Sequence, residues 1–517
     1  MKAGRKSLLR LARIVLASIS LLLMTVLFAS GAGNGMFSFL AKAQFVPALL
    51  AGSVIMLIVI ALLTFVLGRV YCSVICPLGI MQDLLNWLTK KIGGKKKEIR
   101  FGYAKPHNLL RYVVLSVFVV GVLAGSAWIV ELLDPYASFG RIMTDIFRPV
   151  AVWINNLLAS VFVSIDRESL IGVNSMALSV AIVSFVVIAV MSVRCGRAYC
   201  NNICPVGTLL GLIGSSPVYR IKVDEEKCNG CGLCGRKCRA RCIDTSSHKV
   251  DYTRCVDCFD CVDNCNRGAI SYAPVKMGKK MNEAKESGEQ DESRRKFLSG
   301  LAVLCVAGSR TWAREKYAKM DAFVSGKPAD DGHLPVSPFG SISHKHLNDT
   351  CSACHLCIDK CPQKVLRPAL KEYGLGGVMQ PVMDYSVSYC DYDCTLCSEV
   401  CPAGAIKPLT VDEKQSIHIG LAVYSREDCL ISKGTLLCGV CRDACPAAAI
   451  SLIPDYNEPL NETELETLAQ MPADERTRAQ YRLYPKIDAD LCIGCGACQH
   501  SCPTKAIIVD GFSVHRV

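Results

Sequence analysis

Cysteine is the residue type that offers the most chemistry in this chain of 517 residues. Of its 31 cysteines, 24 fall into six blocks of four. Four blocks share the spacing Cys-x2-Cys-x2-Cys-x3-Cys, one has an extra residue in the first gap, and one is stretched to Cys-x8-Cys in that gap. The blocks are, in chain order, Cys228, Cys231, Cys234 and Cys238; Cys255, Cys258, Cys261 and Cys265; Cys351, Cys354, Cys357 and Cys361; Cys390, Cys394, Cys397 and Cys401; Cys429, Cys438, Cys441 and Cys445; and Cys492, Cys495, Cys498 and Cys502.

This spacing predicts 4Fe–4S clusters. Three closely spaced thiolates of a block bind one cluster, and the fourth cysteine ligates the cluster of a partner block. Six blocks therefore predict six clusters, with these 24 cysteines as metal ligands. A row of such clusters is suited to moving electrons. A proline follows the last cysteine in the four C-terminal blocks, whereas Arg239 and Asn266 occupy that place in the first two.

Three other cysteine chemistries fit the blocks less well. Zinc sites usually join two Cys-x2-Cys pairs through a longer loop, and disulfide frameworks are typical of small secreted domains. The run Cys351-x2-Cys354-His355 matches a signature of covalent haem attachment. Because Cys357 and Cys361 complete the cluster block at the right distances, we interpret His355 as a bystander.

A second set of cysteines lies in an internal repeat. The string Gly-Arg-x-Tyr-Cys-x2-Ile-Cys-Pro-x-Gly occurs twice, 128 residues apart, and contains Cys72, Cys76, Cys200 and Cys204. We predict that these four bind a cofactor, either as a further metal centre or as redox-active dithiols near a quinol pocket. The alternative is a pair of tight turns that cap helices. No role is assigned to Cys195, Cys242 and Cys305, although Cys242 could compete with Cys238 as a ligand.

The elements that carry these motifs are segregated along the chain. Hydrophobic residues make up 51% of the sequence and charged residues 20%, and the apolar residues concentrate before residue 194. Four stretches, 14–32, 45–67, 112–133 and 175–193, are long enough to cross a hydrocarbon core, which takes about 20 residues. The run 149–165 contains two asparagines and is predicted to lie at the membrane interface as an amphipathic helix.

Basic residues predict the orientation of these spans. Fourteen Lys and Arg residues lie before residue 14 or in the loop 68–111, whereas four lie in the other two connections. This asymmetry places the amino terminus and that loop in the cytoplasm. Each Cys-x3-Cys-Pro motif follows a pair of spans, so both motifs are expected at the cytoplasmic surface. The net charge of +12 is explained by the basic loop, and we recognise no nucleic-acid-binding motif.

The predicted fold is multi-domain: an α-helical four-span membrane domain followed by α+β bacterial-ferredoxin-like modules that bind 4Fe–4S clusters. The predicted boundaries are 1–215 for the membrane domain, 216–275 for a cytoplasmic two-cluster domain, 276–345 for a polar linker and 346–517 for a four-cluster domain. In the last domain, the Ala-Ile steps at 405–406, 449–450 and 506–507 are expected to begin closing strands. The polar stretch 454–486 is interpreted as an insertion.

The linker contains a candidate export signal. Arg294 and Arg295 precede Phe297, Leu298 and a short apolar run to residue 307, which resembles a twin-arginine (Tat) signal. Clusters are inserted in the cytoplasm, so an exported cluster domain must cross the membrane already folded. The alternative is a basic start to an ordinary buried helix.

Two family resemblances rest on these motifs. Residues 1–275 resemble the NapH-type membrane ferredoxins, and residues 293–517, with the Tat-like signal and four blocks, resemble the NapG-type periplasmic ferredoxins. Together they imply a fused electron-transfer component of a quinol dehydrogenase, multi-pass in the bacterial inner membrane, with a periplasmic C-terminal half. The implied partners are quinol in the bilayer and a periplasmic reductase or cytochrome. The resemblance also implies nested pairing, in which the first C-terminal block pairs with the fourth and the second with the third.

The sequence does not determine how electrons cross the bilayer. The four predicted spans contain no histidine, so paired-histidine haem ligation is not expected. A quinol could be oxidised near Glu131, Asp134 and Tyr136 on the outer side, or near the Cys-x3-Cys-Pro motifs on the inner side. Two other functions stay open: a maturation or regulatory redox factor for a client metalloenzyme, and a ferredoxin assembly that faces the cytoplasm throughout.

Overall fold

The computed structural model of the chain describes most of the sequence. The described residues are 8–29, 37–92, 101–125, 127–161, 174–274, 333–433, 438–460 and 481–517, with isolated positions at 167, 295, 298–300, 302–303, 305, 462 and 465–466. The polar linker 276–292, the position of Arg294 in the twin-arginine motif and the central part of the predicted insertion, 467–480, lie outside the described residues.

The chain forms two compact units. The first contains residues 1–319 together with 349–355 and 402–404, and the second contains 320–348, 356–401 and 405–517. The described helices of the first 213 residues are α1 (Leu8–Ala29), α2 (Ser38–Lys42), α3 (Phe45–Leu50), α4 (Val54–Leu67), α5 (Pro77–Ile92), α6 (Asn108–Ala124), α7 (Ala127–Leu133), α8 (Pro135–Arg141), α9 (Arg148–Ala159), α10 (Ser175–Cys195), α11 (Ala198–Asn202) and α12 (Pro205–Ile213). Two π-helical turns, Tyr71–Ile75 and Ile142–Phe147, adjoin α5 and α8.

Two of the four predicted spans are single long helices. With 22 and 21 residues, α1 and α10 are the helices of the described chain that are long and apolar enough to cross a membrane. Large apolar side chains on both are exposed, for example Leu16 on α1 and Val183 on α10. Apolar surface of this kind favours a lipid environment.

The other two predicted spans are interrupted at glycines. The stretch 45–67 divides into α3 and α4 at Gly52, and the stretch 112–133 divides into α6 and α7 at Gly125, where φ is +66° and +72°. Glycine adopts this left-handed conformation without steric strain. Hydropathy detects apolar composition and does not detect helix continuity, so the four-span arrangement stays a prediction. The amphipathic segment forms α9, whose interfacial position also stays a prediction.

The two copies of the repeat fold alike. Helix α4 ends at Gly68 and α10 ends at Gly196, both with a positive φ. A buried arginine and a short helical turn follow each glycine. Pro77 and Pro205 then begin α5 and α12, where a proline costs no intrahelical hydrogen bond. Each Cys-x3-Cys pair therefore lies in a turn between two helices.

Residues 219–274 form the predicted α+β module of the first unit. Its elements are β1 (Tyr219–Val223), α13 (Leu233–Lys237), β2 (Ile243–Asp244), β3 (Lys249–Val250), α14 (Asp260–Asp263) and β4 (Ile270–Pro274). β1 pairs with β4 and β2 with β3, both antiparallel. The outer strand pair encloses two short helices, each of which follows a cysteine loop.

From residue 344 onward, short helices alternate with antiparallel strand pairs. The elements are α15 (His344–Thr350), α16 (Leu356–Lys360), β5 (Leu366–Pro368), β6 (Pro381–Met383), α17 (Leu396–Val400), α18 (Val411–Ser416), β7 (His418–Tyr424), α19 (Val440–Asp443), β8 (Ile450–Pro459), β9 (Tyr481–Ile487), α20 (Ala497–Ser501) and β10 (Ile507–Arg516). β5 pairs with β6, β7 with β10, and β8 with β9. The hydrophobic core of the second unit includes Cys361, Cys492, Cys495 and Cys498 beside Ile419, so these block cysteines lie inside the core.

Candidate iron–sulfur centres

All six cysteine blocks end in the same turn. The residue three positions after the fourth cysteine has a positive φ in every block: Arg241 (53°), Gly268 (64°), Lys364 (55°), Gly404 (71°), Ala448 (50°) and Lys505 (56°). In five of them the amide also donates a hydrogen bond to the carbonyl oxygen of the fourth cysteine. Non-glycine residues rarely adopt this conformation. The six blocks therefore share one loop design, including the two blocks with irregular spacing.

The four regularly spaced blocks share a second feature. The residue after their second cysteine is left-handed: Gly232 (68°), Phe259 (60°), His355 (62°) and Gly496 (80°). Successive backbone N–H groups in such loops form concave anion sites, which many iron–sulfur centres use. His355 occupies this loop position, and its Nδ1 lies 3.3 Å from Asp145 Oδ2. Both facts support its interpretation as a bystander to haem chemistry.

In the first unit, the fourth cysteine of each block lies with the first three cysteines of the other block. Cys265 lines a cavity of about 240 Å³ with Cys228, Cys231 and Cys234 of the other block. Burial raises the pKa of Cys261, and the neighbouring thiolates of Cys258, Cys255 and Cys238 raise it further, so Cys238 lies with the second block. Two sets of four cysteines form, each with three members from one block and one from the other. This is the ligand arrangement that a pair of 4Fe–4S clusters requires.

In the second unit, three of the fourth cysteines, Cys361, Cys445 and Cys502, lie with an adjacent block. Cys361 lines one cavity with Cys390, Cys394 and Cys397, and Cys502 lines another with Cys429, Cys438 and Cys441. Burial raises the pKa of Cys498, and the thiolates of Cys495, Cys492 and Cys445 raise it further. The nested pairing implied by the resemblance is therefore wrong. Its physical basis is visible in the short helices, since α16 packs on α17 and α19 packs on α20.

Backbone amides donate hydrogen bonds to the sulfurs of several fourth cysteines. Ala269 and Ala449 donate to Cys265 Sγ and Cys445 Sγ, both at 3.3 Å. Such bonds stabilise a thiolate ligand and help set the reduction potential of a bound cluster. The predicted closing strands begin at Ile450 and Ile507, as β8 and β10. At Ile406 the described backbone is irregular, so the closing strand predicted to begin there is wrong.

Cys242 lies beside the cysteine set that contains Cys238. Its Sγ is 3.6 Å from Cys238 Sγ, and it also hydrogen-bonds to Cys255. The bond from Cys242 lowers the pKa of Cys238, whereas the bonds to Cys238 and Cys255 raise the pKa of Cys242. Cys242 is therefore a direct neighbour of two block cysteines and stays a competitor of Cys238 as a ligand.

The structure brings the cysteines of the two repeats together. Cys72, Cys76, Cys200 and Cys204 are all buried. Burial raises the pKa of Cys76, and the thiolates of Cys200 and Cys72 raise it further; burial likewise raises the pKa of Cys204, with contributions from Cys200, Cys76 and Cys72. The four sulfurs are thus electrostatic neighbours, and Cys204 also caps α12 by accepting a hydrogen bond from Gly207 N at 3.3 Å.

Two buried arginines connect each repeat to the other. Arg69 Nη2 donates to the carbonyl oxygen of Cys200 at 3.4 Å and lies 3.7 Å from Cys72 Sγ. Arg197 Nη1 donates to the carbonyl oxygen of Cys72. Gly79 and Gly207 leave room for these contacts, because an added Cβ would lie 2.4 Å from the carbonyl oxygen of Cys72 and 2.2 Å from that of Cys200. The repeated Gly-Arg and Pro-x-Gly positions in the sequence therefore serve this crossed arrangement.

One of the polar residues predicted for the outer side, Asp134, interacts with both motifs. Glu131, Asp134 and Tyr136 are buried, and Asp134 caps α8 by accepting a hydrogen bond from Tyr136 N at 2.9 Å. Burial raises the pKa of Tyr71 and of Tyr199, and the charge of Asp134 contributes to both shifts. The charge of Asp134 therefore acts on one tyrosine of each repeat.

Residues 349–355, which fold with the first unit, contact α8 and the turn after it. Arg141 Nη1 donates to the carbonyl oxygen of Ala353 at 3.3 Å. A Cβ added to Gly140 would lie 2.4 Å from the carbonyl oxygen of Cys354. The first C-terminal block therefore begins against the segment that follows Asp134.

Comparison with known proteins agrees with this chemistry. A family described as a 4Fe–4S binding domain matches residues 49–96 and 178–223, which contain the two Cys-x3-Cys-Pro motifs. A family described as a 4Fe–4S dicluster domain matches residues 435–506, which agrees with the pairing of the last two blocks. The chain is an iron–sulfur electron-transport protein of the ferredoxin type.

Relatives of the ferredoxin type cover parts of the chain. It is 29% identical over 230 residues to the ferredoxin-type protein NapH of Escherichia coli, which covers 43% of this chain and 67% of NapH. It is 29% identical over 189 residues to the methylamine utilization ferredoxin-type protein MauM of Methylobacillus flagellatus, with 35% and 69% covered. An uncharacterised protein of Methanocaldococcus jannaschii is 28% identical over 221 residues, with 43% and 71% covered. The NapH similarity lies in the N-terminal part and favours association with a membrane.

Asp83 and Gln82 are site residues that sequence reasoning missed. Asp83 is buried among Arg13, Arg197 and Arg239. Burial alone would raise the pKa of Asp83, but Arg197, Arg239 and Arg13 together hold it well below its usual range. Gln82 Nε2 donates to Cys200 Sγ at 3.2 Å. The repeat could not reveal these two residues, because its second copy has Leu210 and Gly211 at the corresponding positions.

Proposed function

We propose that this ferredoxin-type protein takes electrons from quinol in the bilayer and delivers them to a periplasmic reductase or cytochrome. The observation that carries the proposal is the cluster loop that recurs in all six blocks. Two of these blocks adjoin the membrane-proximal helices, and four follow the Tat-like segment. The similarity to NapH supports a quinol-linked role for the N-terminal part, and the proposed cofactors are six 4Fe–4S clusters and a quinol.

The block cysteines fit the clusters that the comparisons imply. Three sets of four thiols each line one cavity, and left-handed turns occur in the loops of all six blocks. Bound 4Fe–4S clusters supply one-electron steps. The chain itself supplies burial, fixed thiolate positions and hydrogen bonds to sulfur, which together set the reduction potentials.

Asp134 is the proposed proton acceptor for quinol oxidation. That oxidation releases two protons along with two electrons, so a base must lie near the quinol hydroxyl. Burial raises the pKa of Asp134 above its ordinary value, which suits proton uptake near neutral pH. Asp134→Asn should therefore slow quinol oxidation at least 10-fold with the iron content unchanged. Full activity in this variant would remove Asp134 from the proposal.

Export of the C-terminal half rests on the twin arginines and can be tested by topology. A reporter fused after Val517 should be periplasmic in the natural chain. Changing both Arg294 and Arg295 to lysine should retain the reporter in the cytoplasm. A reporter that is cytoplasmic with either sequence would favour the alternative of an assembly that faces the cytoplasm throughout.

Reconstitution separates the relay from a maturation factor. Proteoliposomes that contain the protein and a quinol should reduce a membrane-impermeant acceptor on the side of residue 517. A deletion strain with normal quinol-linked electron flow but an inactive client metalloenzyme would instead support the maturation or regulatory role.

A further inference from the structure

The convergence of Cys72, Cys76, Cys200 and Cys204 has a consequence beyond the six blocks. Each repeat contributes two buried thiols, and crossed arginines fix the two turns against each other. The arrangement is one interior site and not two separate ones. We propose that these four cysteines hold one further iron–sulfur cluster, shared between the repeats, with Arg69 as its counter-charge. The proposal does not depend on the direction of electron flow.

Arg69 is a buried charge whose partners call for an anion. Its side chain is fully buried. Besides the contacts with Cys72 and Cys200, Nη1 donates to Asn201 Oδ1 at 2.9 Å and to the carbonyl oxygen of Thr253 at 3.0 Å. Asp257, which is also buried, accepts a hydrogen bond from the backbone amide of Arg69 and interacts with the charge of its guanidinium. Since a buried guanidinium is costly without anionic partners, the thiolates of the shared site, which Arg69 contacts through Cys72 Sγ, balance its charge together with Asp257.

Arg197, which occupies in the second repeat the position of Arg69 in the first, has a carboxylate as its partner. Its Nε and Nη2 donate to Asp83 Oδ1 and Oδ2 at 3.0 and 2.7 Å. The second repeat has Gly211 where the first has Asp83, and a Cβ there would lie 2.3 Å from the carbonyl oxygen of Thr253. No carboxylate can therefore occupy that place beside Arg69. The two repeats therefore differ in charge at this position: the first provides a carboxylate for Arg197, and the second provides none for Arg69. An anionic centre would supply the missing negative charge.

The donor set fits an iron–sulfur cluster. Four cysteine thiolates are the ligand set of both 2Fe–2S and 4Fe–4S clusters, and the resulting centre is anionic. The two segments that the 4Fe–4S binding domain family matches each contain one pair of these cysteines. Gln82 and Gly207 donate hydrogen bonds to the sulfurs of Cys200 and Cys204 at 3.2 and 3.3 Å, as cluster ligands require.

The site also adjoins a centre already described. Arg69 donates to the carbonyl oxygen of Thr253, two residues before Cys255. The amide of Arg197 donates to the carbonyl oxygen of Arg239 at 2.9 Å, one residue after Cys238. Hydrogen bonds thus connect both repeats to the backbone next to two ligands of the second cytoplasmic set. A cluster here would lie between the cytoplasmic module and the quinol region around Asp134.

The first test is the metal content of the full chain, purified anaerobically in detergent. Six 4Fe–4S clusters supply about 24 iron atoms per chain, and the further cluster raises this to about 26 or 28, with matching sulfide. Replacing Cys72 and Cys200 together by alanine should remove that excess of two to four atoms. Cys195→Ala, which changes a neighbouring cysteine outside the motifs, is the matched control and should remove none. A natural chain with about 24 iron atoms, or with zinc in the excess, would overturn the proposal.

A second variant keeps all four ligands, so its result does not depend on whether the double variant folds. Arg69→Gln removes the counter-charge and should shift the reduction potential of one cluster signal downward in an EPR-monitored redox titration, because the oxidised, less negative centre is then favoured. The signals of the other clusters should stay in place. Exposed Arg194, three residues before Arg197, gives the control Arg194→Gln, which should shift nothing. An unchanged set of potentials in Arg69→Gln would contradict the assigned counter-charge.

Discussion

Arg197 from the second repeat binds Asp83 from the first through two hydrogen bonds of 3.0 and 2.7 Å. Arg13 and Arg239 contact the same carboxylate. One buried carboxylate therefore contacts three arginines that come from the amino-terminal helix, the second repeat and the module 219–274; of these, Arg239 also pairs with Asp260 at 2.8 Å. Ion pairs with Asp83 therefore connect three parts of the first unit.

Removing that charge should be costly. Asp83→Asn removes the carboxylate that Arg13, Arg197 and Arg239 share, while Arg239 keeps Asp260, and breaking a buried ion pair costs about 3–5 kcal/mol. We expect a lower free energy of unfolding by about that amount, measured by denaturant unfolding of the detergent-solubilised chain. Asp263→Asn is the control, because its partner Arg10 is partly exposed and such pairs contribute at most about 1 kcal/mol. Equal losses in the two variants would contradict the central position of Asp83.

The stabilising effect of Asp83 should depend on pH in one direction. The arginines depress the folded-state pKa of Asp83, so its stabilisation is present above the unfolded pKa of about 3.9 and is lost as the pH falls through the folded value. The difference in stability between the natural chain and Asp83→Asn should be constant above about pH 5 and shrink below about pH 4. A difference that grew towards acid pH would show that the carboxylate is not ion-paired.

The shared loop of the six blocks could be anticipated from the sequence because ligand spacing is a local property. The turn after each fourth cysteine lies within four residues of that cysteine, so all six blocks adopt it regardless of their surroundings. Helix continuity was less predictable. Gly52 and Gly125 interrupt two apolar stretches, and whether a glycine bends a helix depends on the packing around it, which composition does not encode.

The crossed repeat predicts that Gly79 and Gly207 tolerate no side chain. A Cβ at either position would meet a backbone carbonyl oxygen, of Cys72 or of Cys200, and backbone cannot move aside as a flexible side chain can. Gly79→Ala and Gly207→Ala should each lower the free energy of unfolding by about 1–3 kcal/mol. Gly102, which has nothing within 4 Å of an added Cβ, provides the control Gly102→Ala. Thermal unfolding that is equally affected in all three variants would argue against the close approach.

Cys242 should tune a cluster without binding it. Its sulfur is hydrogen-bonded to the sulfurs of Cys238 and Cys255, and a hydrogen bond donated to a ligand sulfur raises a cluster's reduction potential. Cys242→Ala should therefore leave the iron content unchanged and shift one potential downward. In Cys238→Ser, by contrast, Cys242 is close enough to replace the lost ligand, so most of the iron should remain. Loss of iron in Cys242→Ala with none in Cys238→Ser would reverse the two roles.

The spacing of the cysteines could not predict which C-terminal blocks pair with each other. Each fourth cysteine is predicted to leave its own block, but its destination depends on which short helices pack together. The resemblance implied a nested order, whereas α19 packs on α20 and Cys502 lies with Cys429, Cys438 and Cys441. Long-range packing of four-residue and five-residue helices leaves no periodicity in the sequence from which the order could be inferred.

Double variants test that pairing directly. If Cys502 and Cys438 hold the same cluster, Cys502→Ser and Cys438→Ser should each remove up to about four iron atoms per chain, and the double variant should remove no more than one of them alone. Cys502→Ser combined with Cys354→Ser affects two different clusters, so the losses should add to about eight. The nested order predicts the opposite result, with additive losses for the first combination and a shared loss for the second. Iron and acid-labile sulfide, measured on the same anaerobic preparations, therefore discriminate between the two arrangements.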